Sequence, residues 1–377
     1  MTLSFQFHKY LVLLFSCFTL VSCKKETTTV PLKKSFAYAK GFSIETEGSN
    51  SKITIFNPYK NAAKNYQFLL VPKGDKIPPH DSKTQIIRTP VEKIIATSTT
   101  HIPLLELLEV THTLVGFPNT DFVSSIKTRE RIDNGSIKDV GRESSLNTEL
   151  VLALQPEVLV GFSVDKPNKS LLNIQKSGIP VLLNGDWLEA SPLGRAEWIR
   201  LFGALYQKEA KADSIFKEIE SNYIKAKAIA AKSKNTPSVF SGAMYQDVWY
   251  LPAGESFMAT YFKDANTNYI WRDTRGTGSL SLSFENVLVK AQKADVWIGC
   301  SLFEDKKGLL QASEHYAQFE AFQDNTHTFA NLKGAKGGLF YFEMGPIRPD
   351  LILKDIVKIA HPDLLPDYQP FFFKKLH

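Results

Sequence analysis

One stretch, Ser191 to Lys234, narrows the architectures open to this chain more than any other. Ser191-Pro192 opens it. Proline at the first helical position gives up an N–H that would have no partner anyway, and serine caps the amides behind it. Trp198, Leu201, Phe202 and Leu205 then recur at helical spacing. After a break near Gln207, the series Ala212, Ile215, Phe216, Ile219, Tyr223, Ala226, Ala230 keeps one apolar stripe for about six turns. This second piece should span roughly 35 Å at the rise of an α-helix. Glu209 and Asp213 near its start, and Lys225, Lys227 and Lys232 near its end, suit the helix dipole, and Thr236-Pro237 stops it.

What flanks the rod points to two bodies joined by it. Asn147–Ser163 (NTELVLALQPEVLVGFS) precedes it and Ser283–Ser301 (SFENVLVKAQKADVWIGCS) follows it. Each is a short amphipathic helix opening with a glutamate, Glu149 or Glu285, then an acidic residue, then a buried-strand run ending in glycine: Glu157-Val-Leu-Val-Gly161 and Asp295-Val-Trp-Ile-Gly299. The spacing predicts an α/β fold, two lobes with mainly parallel sheets joined by one long helix.

The 43% hydrophobic content is enough for one or two ordinary cores, and a net charge of +6 without a basic block gives no nucleic-acid footprint. The one membrane-like segment is at the start, where His8 and Lys9 precede the apolar run Tyr10–Leu20. That run is too short to span a bilayer and reads as a secretion signal. Leu20-Val21-Ser22-Cys23 resembles the bacterial lipobox, which implies cleavage before Cys23, lipid attachment to it, and a membrane-anchored envelope protein facing the periplasm. Cys17 is then lost with residues 1–22, and Cys300 remains as a buried thiol with no disulfide partner.

Residues 23–35 read as the lipidated tether and 36–84 as an extension with a linker. The alternating runs Lys52–Phe56 and Tyr66–Val71 form a hairpin in it. The first lobe is placed at 85–190, the bridge at 191–235 and the second lobe at 236–377. Strand and helix signals alternate in both lobes: Val91–Ala96, STTHIPLLELLEV, Leu114–Gly116 and Gly178–Leu183 in the first, Ser238–Gly242, GESFMATYFKDA and the closing helix PDLILKDIVKIAHP in the second.

Arg88–Leu108, Val115-Gly116, Asp139-Val-Gly141, Leu146–Gly161, the bridge, Phe284–Leu288 and Arg348-Pro-Asp-Leu351 through Pro362 together resemble the iron-siderophore and vitamin B12 class of ABC-transporter substrate-binding lipoproteins. Their order and spacing carry the likeness, over roughly residues 85–365. The resemblance implies a monomer that captures a metal chelate between its lobes, with no intrinsic cofactor, and delivers it to a permease dimer. It places Glu149 and Glu285 as the acidic knobs that dock onto permease arginines. The ligand should lie among loops at the carboxyl ends of the strands. From the first lobe His101 and Trp187 are candidates for contacting it; from the second, Tyr245, Trp249, Trp271, Arg272, Tyr341 and Arg348. Aromatic faces suit a large conjugated ligand and arginine forks suit anionic chelate oxygens. A ferric siderophore is the first expectation, with cobalamin or haem carried by the same layout.

Two rival classes are weaker. A zinc- or manganese-binding relative would use histidines and carboxylates directly, but His101 and His112 stand eleven apart and no histidine-rich loop occurs. An enzyme would show a nucleophile elbow, a zinc-protease helix or a phosphate loop, and none is present.

Overall fold

The computed structural model describes residues 32–34, 36–62 and 64–377. The signal segment, Cys23 and the lipobox lie outside them. Leu32–Lys34, expected to end a tether, forms a strand instead.

This strand belongs to a five-stranded N-terminal sheet: β1 (Leu32–Lys34), β2 (Phe42–Glu47), β3 (Asn50–Ile55), β4 (Tyr66–Pro72) and β5 (Gln85–Thr89), in spatial order β1-β2-β3-β4-β5. The expected hairpin is present as β3 and β4, with Ile53 opposite Phe68. It is two strands of five, and β5, read from sequence as the start of the first lobe, pairs in parallel with β4. The sheet buries Ile53, Ile55, Phe68 and Ile87 and docks on the start of the bridge. There the Phe42 and Trp198 ring centroids are 4.7 Å apart. Two buried carboxylates complete the joint. Glu197 accepts the amides of Tyr38 and Ala39 at 2.8 Å, and Glu189 accepts those of Lys40 and Gly41 at 2.9 Å together with the Trp198 indole N–H at 3.0 Å. A side chain at Gly41 would meet the Trp198 ring at 2.6 Å, so only glycine lets the strand lie this close.

The first lobe contains β6 (Ile94–Ala96), β7 (Leu114–Phe117), β8 (Lys138–Asp139), the small hairpin β9 (Gly141–Arg142) and β10 (Ser145–Leu146), then β11 (Val158–Gly161) and β12 (Val181–Leu183). Its sheet runs β12-β11-β6-β7-β8, all parallel. The second lobe contains β13 (Ser238–Ser241), β14 (Ala243–Tyr245), β15 (Val248–Pro252), β16 (Asn268–Tyr269), β17 (Ser279–Leu282), β18 (Val296–Ile298), β19 (Thr326–Thr328) and β20 (Lys374–Lys375). Its main sheet runs β16-β13-β18-β19-β20, parallel apart from β20, while β14, β15 and β17 form a small antiparallel sheet. The central strands β6, β11 and β18 are apolar on both faces, as a parallel sheet covered by helices requires, whereas β19 buries Thr326, His327 and Thr328.

The repeated acidic residue now has a structural reason. Glu157 accepts the Glu92 amide at 2.6 Å just before β6, and Asp295 accepts the Ser238 amide at 2.7 Å at the start of β13. In each lobe the carboxylate before one strand pins the beginning of its parallel neighbour.

The bridge consists of Pro192–Glu197, Ile199–Leu205 and, after a turn at Gln207 with φ of 53°, the 22-residue helix Glu209–Ala230. Its buried stripe is Ala212, Phe216, Ile219, Tyr223, Ala226 and Ala230. Ile215, counted in that stripe from sequence, is half-buried. Tyr223 donates to Asp264 at 2.8 Å and Lys227 pairs with the same carboxylate at 2.7 Å, which fixes the rod to the second lobe.

Candidate functional site

A cleft opens where the carboxyl ends of both parallel sheets face each other. Its outer part, about 430 Å³, is lined from the first lobe by Thr97–Thr99 after β6, Phe117–Asn119 and Phe122 after β7, Glu143 and Phe162, and from the second by Leu302 after β18 and Gly337–Leu339 and Phe342 after β19. An inner part of about 240 Å³ shares Ser98 and Phe162 with it and adds Thr100, His101, Val164, Asp186, Trp187 and Arg195. Phe122 and Phe342, 63% and 50% exposed, face solvent at the mouth from opposite lobes. These volumes and this mixture of aromatic and polar lining suit a small-molecule site.

The inner part is rich in polar atoms without protein partners. His101 is 1% exposed, and neither ring nitrogen has a hydrogen bond. Burial pushes its pKa down to about 3, so the imidazole is neutral at physiological pH. The Trp187 indole N–H, the Thr97 hydroxyl and the Arg195 Nε are also buried without partners. The Arg195 guanidinium lies 4.4 Å from the Phe257 ring centroid, and no ion pair involves it among the described residues. Its charge acts on both lobes. It opposes the burial that raises the Asp186 carboxyl and the burial that raises the Tyr341 phenol to about 12. Buried polar groups are ordinarily satisfied, so three residues with orphaned atoms around the inner part, with Thr97 beside them in the outer part, set this cleft apart. The arrangement offers donors and a cation, which match anionic oxygens, and an uncharged nitrogen, which matches a metal or a hydrogen-bonding group.

The two lobes also touch at the mouth. The Glu343 carboxylate, carried by the helix Phe340–Met344, accepts the amides of Ser124 and Ser125 of the first lobe at 2.6 and 2.8 Å. A side chain at Gly338 would lie 2.2 Å from the Phe122 carbonyl, and one at Gly334 2.6 Å from Ser124 Cα. The glycine-bearing loop Gly334–Gly338 is therefore where the second lobe lies backbone to backbone on the first.

Of the ligand candidates nominated from sequence, the structure brings together His101 and Trp187. Trp249 is fully buried between Phe240, Trp297, Tyr316 and Phe319, its indole N–H spent on the Ser241 carbonyl at 3.0 Å. Trp271 is buried beside Tyr269, and neither tryptophan lines either part of the cleft. Arg272 is exposed, but its guanidinium is turned to Asn268 and the Tyr269 carbonyl at the outer strand β16. Arg348 forms a two-pronged pair with Asp350 at 2.9 and 2.8 Å, at the start of the closing helix Pro349–Ala360. Tyr341 stacks on Phe329 and points its hydroxyl at the Met258 sulfur, behind the cleft wall. Tyr245 is 71% exposed on β14, away from both parts of the cleft. The sequence reading missed Arg195, because helical periodicity counts it as one more polar position on the bridge. It also missed Phe122, Phe342 and Glu343, for which no local signal exists.

Glu149 and Glu285 occupy matching places. Each is the second residue of a helix, Thr148–Leu154 or Phe284–Ala291, capped by Asn147 or Ser283. Both are exposed, and the backbone amide of Glu285 itself, helped by the Ser283 hydroxyl, holds the Glu285 carboxyl below the usual range. A helix that returns to the beginning of a parallel strand must start at that sheet's carboxyl edge, so both glutamates stand on the side where the cleft opens.

Comparison with known proteins fits this geometry. The periplasmic binding protein family model matches residues 94–341, well over half of the chain. An uncharacterised lipoprotein of Methanocaldococcus jannaschii is 26% identical, across 93% of this chain and 89% of its own. Two solved structures share the fold at low identity. One is a periplasmic haem-binding protein from Pseudomonas aeruginosa (TM-score 0.56, 16% identity, 76% of this chain and 99% of that one). The other is a possible iron-binding, periplasmic solute-binding protein from Staphylococcus epidermidis (0.56, 17%, 72% and 100%). Among the described residues no helix is long and apolar enough to cross a membrane. Two parallel-sheet lobes on one long helix, together with the match across both of them, show that this chain belongs to the periplasmic binding proteins, the substrate-binding components of ABC transporters, in their class with a single bridging helix.

Proposed function

We propose that the chain captures an iron chelate, haem or a ferric siderophore, in the cleft between its lobes and hands it to an inner-membrane permease. The observation that carries this reading is the inner cleft, where a neutral His101, the Trp187 N–H and an Arg195 free of ion pairs converge without partners. A chelate with a conjugated face and anionic oxygens meets Phe122, Phe162 and Phe342 with the first and Arg195 and Trp187 with the second. Among the described residues no three His, Cys, Asp or Glu side chains gather in a group that could hold a bare metal ion. The neighbours described as haem- and iron-binding agree with an iron chelate as cargo. The protein binds without chemistry: apolar lips exclude water, orphaned donors orient the ligand, and Glu149 and Glu285 present paired charge to the permease. Exposed ion pairs contribute only about 0–1 kcal/mol each, so this pair sets the docking orientation more than its strength.

Native mass spectrometry of the purified protein after incubation with haemin, ferric siderophores and cobalamin tests the reading. The expected result is a one-to-one complex with an iron chelate. Binding of cobalamin alone, or of none of them, overturns it.

A further inference from the structure

The N-terminal sheet precedes the stretch matched by the family model, yet its contacts lead to the cleft. The turn between β3 and β4 reaches over the first lobe, and the Lys60 amide donates to the Val164 carbonyl at 3.0 Å. Pro58 Cα stands 3.5 Å from where a side chain on Gly185 would begin. Val164 is itself one of these contacts and Trp187 stands two residues past the other, and both line the inner cleft with Phe162 and Asp186. The two wall segments are themselves joined by the Asn184 amide, which donates to the Gly161 carbonyl at 2.7 Å, and the second is braced internally by the Asp186 amide, which donates to the Asn184 side chain at 3.0 Å. Lower down, Gln85 of β5 caps the edge strand β12 by accepting the Val181 amide at 3.0 Å. Behind the wall lies about 460 Å³ of open space bordered by Lys40, Asn57, Lys60 and Gly185.

We infer that the N-terminal sheet positions the inner wall of the ligand cleft, the Tyr59–Ala62 turn holding Phe162–Val164 and Asp186–Trp187 at the spacing the ligand meets. The turn suits a fixed prop. The Ala62 amide bonds the Tyr59 carbonyl at 3.1 Å, and Asn61 takes a φ of 59°, the left-handed conformation that the third residue of a type II turn needs. Lys60 is thus the second residue of the turn, where proline is well accommodated. Trp187 and His101 share the inner cleft, so a shift of this wall changes which ligand dimensions fit.

The inference rests on the cleft being the ligand site, and the test separates the two. Lys60→Pro keeps the turn and deletes the N–H that reaches Val164, whereas Lys60→Ala keeps the N–H and removes the charge. Hydrogen exchange on the full-length, unliganded protein should show the amides of 162–164 and 186–187 exchanging roughly five- to tenfold faster in Lys60→Pro than in Lys60→Ala, the factor that loss of one net hydrogen bond gives. Unchanged exchange overturns the inference whether or not a ligand is known. Affinities for haemin and ferric enterobactin should then change by different factors in Lys60→Pro and by none in Lys60→Ala. An equal change for both probes would mean a merely structural role and also overturns it. If the unaltered protein binds neither probe nor any other iron chelate, the functional reading falls while the exchange comparison still decides the role of the turn. Should Lys60→Pro fail to fold, Asn61→Val strains the left-handed position and so loosens the turn that presents the Lys60 amide, and unchanged exchange at 162–164 and 186–187 would count against the prop.

Discussion

The seam at the mouth of the cleft makes a quantitative prediction through Glu343. This carboxyl is 2% exposed and its pKa is pushed up to about 7. Burial is the main cause, and the nearby Glu106 adds to it; the Ser124 and Ser125 amides and Arg129 pull the other way. In the unfolded chain the group returns to its ordinary value of 4.5. Between those two values the folded protein holds a proton that the unfolded chain has released, so folding stability falls as pH rises through the window. The contribution is fully present below about 4.5 and gone above about 7, and the integrated loss is about 3 kcal/mol. Separating the lobes exposes Glu343 in the same way, so the seam also loosens as pH rises. Glu343→Gln cannot ionise and removes this slope. Its amide NH2 faces one of the two backbone N–H groups, which lowers stability at acid pH by about 1–3 kcal/mol. Urea unfolding of both proteins at pH 5, 6, 7 and 8 reads the effect. Asp355, raised to about 6 by burial, slopes alike in both and cancels in the difference. Parallel pH profiles for the two proteins would refute the reasoning.

Other expectations follow from the same geometry. Arg195→Met should leave the thermal midpoint nearly unchanged and weaken binding of an anionic chelate at least tenfold by equilibrium titration, because a charged hydrogen bond contributes about 1.5–3 kcal/mol; equal affinity would remove Arg195 from the site. Alanine at both Glu149 and Glu285 should leave ligand affinity intact and abolish uptake in cells, and normal uptake would end the docking role. Trp249→Ala should cost about 3–5 kcal/mol of stability on denaturant unfolding. Scaled to the folded fraction, it should leave ligand affinity unchanged; lost affinity without lost stability would contradict its place in the core.

What sequence could reveal here was whatever has a short period or a local cause. The long helix, its break at Gln207 and the two glutamate-opened helices were legible because apolar spacing, caps and breakers are local. The acidic residues at Glu157 and Asp295 were visible as a repeat, but their purpose depends on a strand more than fifty residues away. The N-terminal sheet was seen as one hairpin because strand partners such as β4 and β5 are chosen by tertiary packing. The candidate site was read least well. Aromatics in loops after strands are the natural candidates from sequence, yet Trp249 and Trp271 fill the second lobe's interior, and Arg348 is occupied by Asp350. Which loop faces the partner lobe is set by how the bridge holds the two sheets, and Arg195, Phe122 and Phe342 emerge only from that arrangement.

The most direct test is a crystal structure grown with the tightest-binding iron chelate, with the metal located by anomalous scattering at the iron edge. The account predicts a single iron between Ser98, Phe162, Phe122 and Phe342, with ligand oxygens turned toward Arg195 and Trp187. Iron bound behind the Tyr59–Ala62 turn, on the outer surface, or nowhere in the crystal would contradict it.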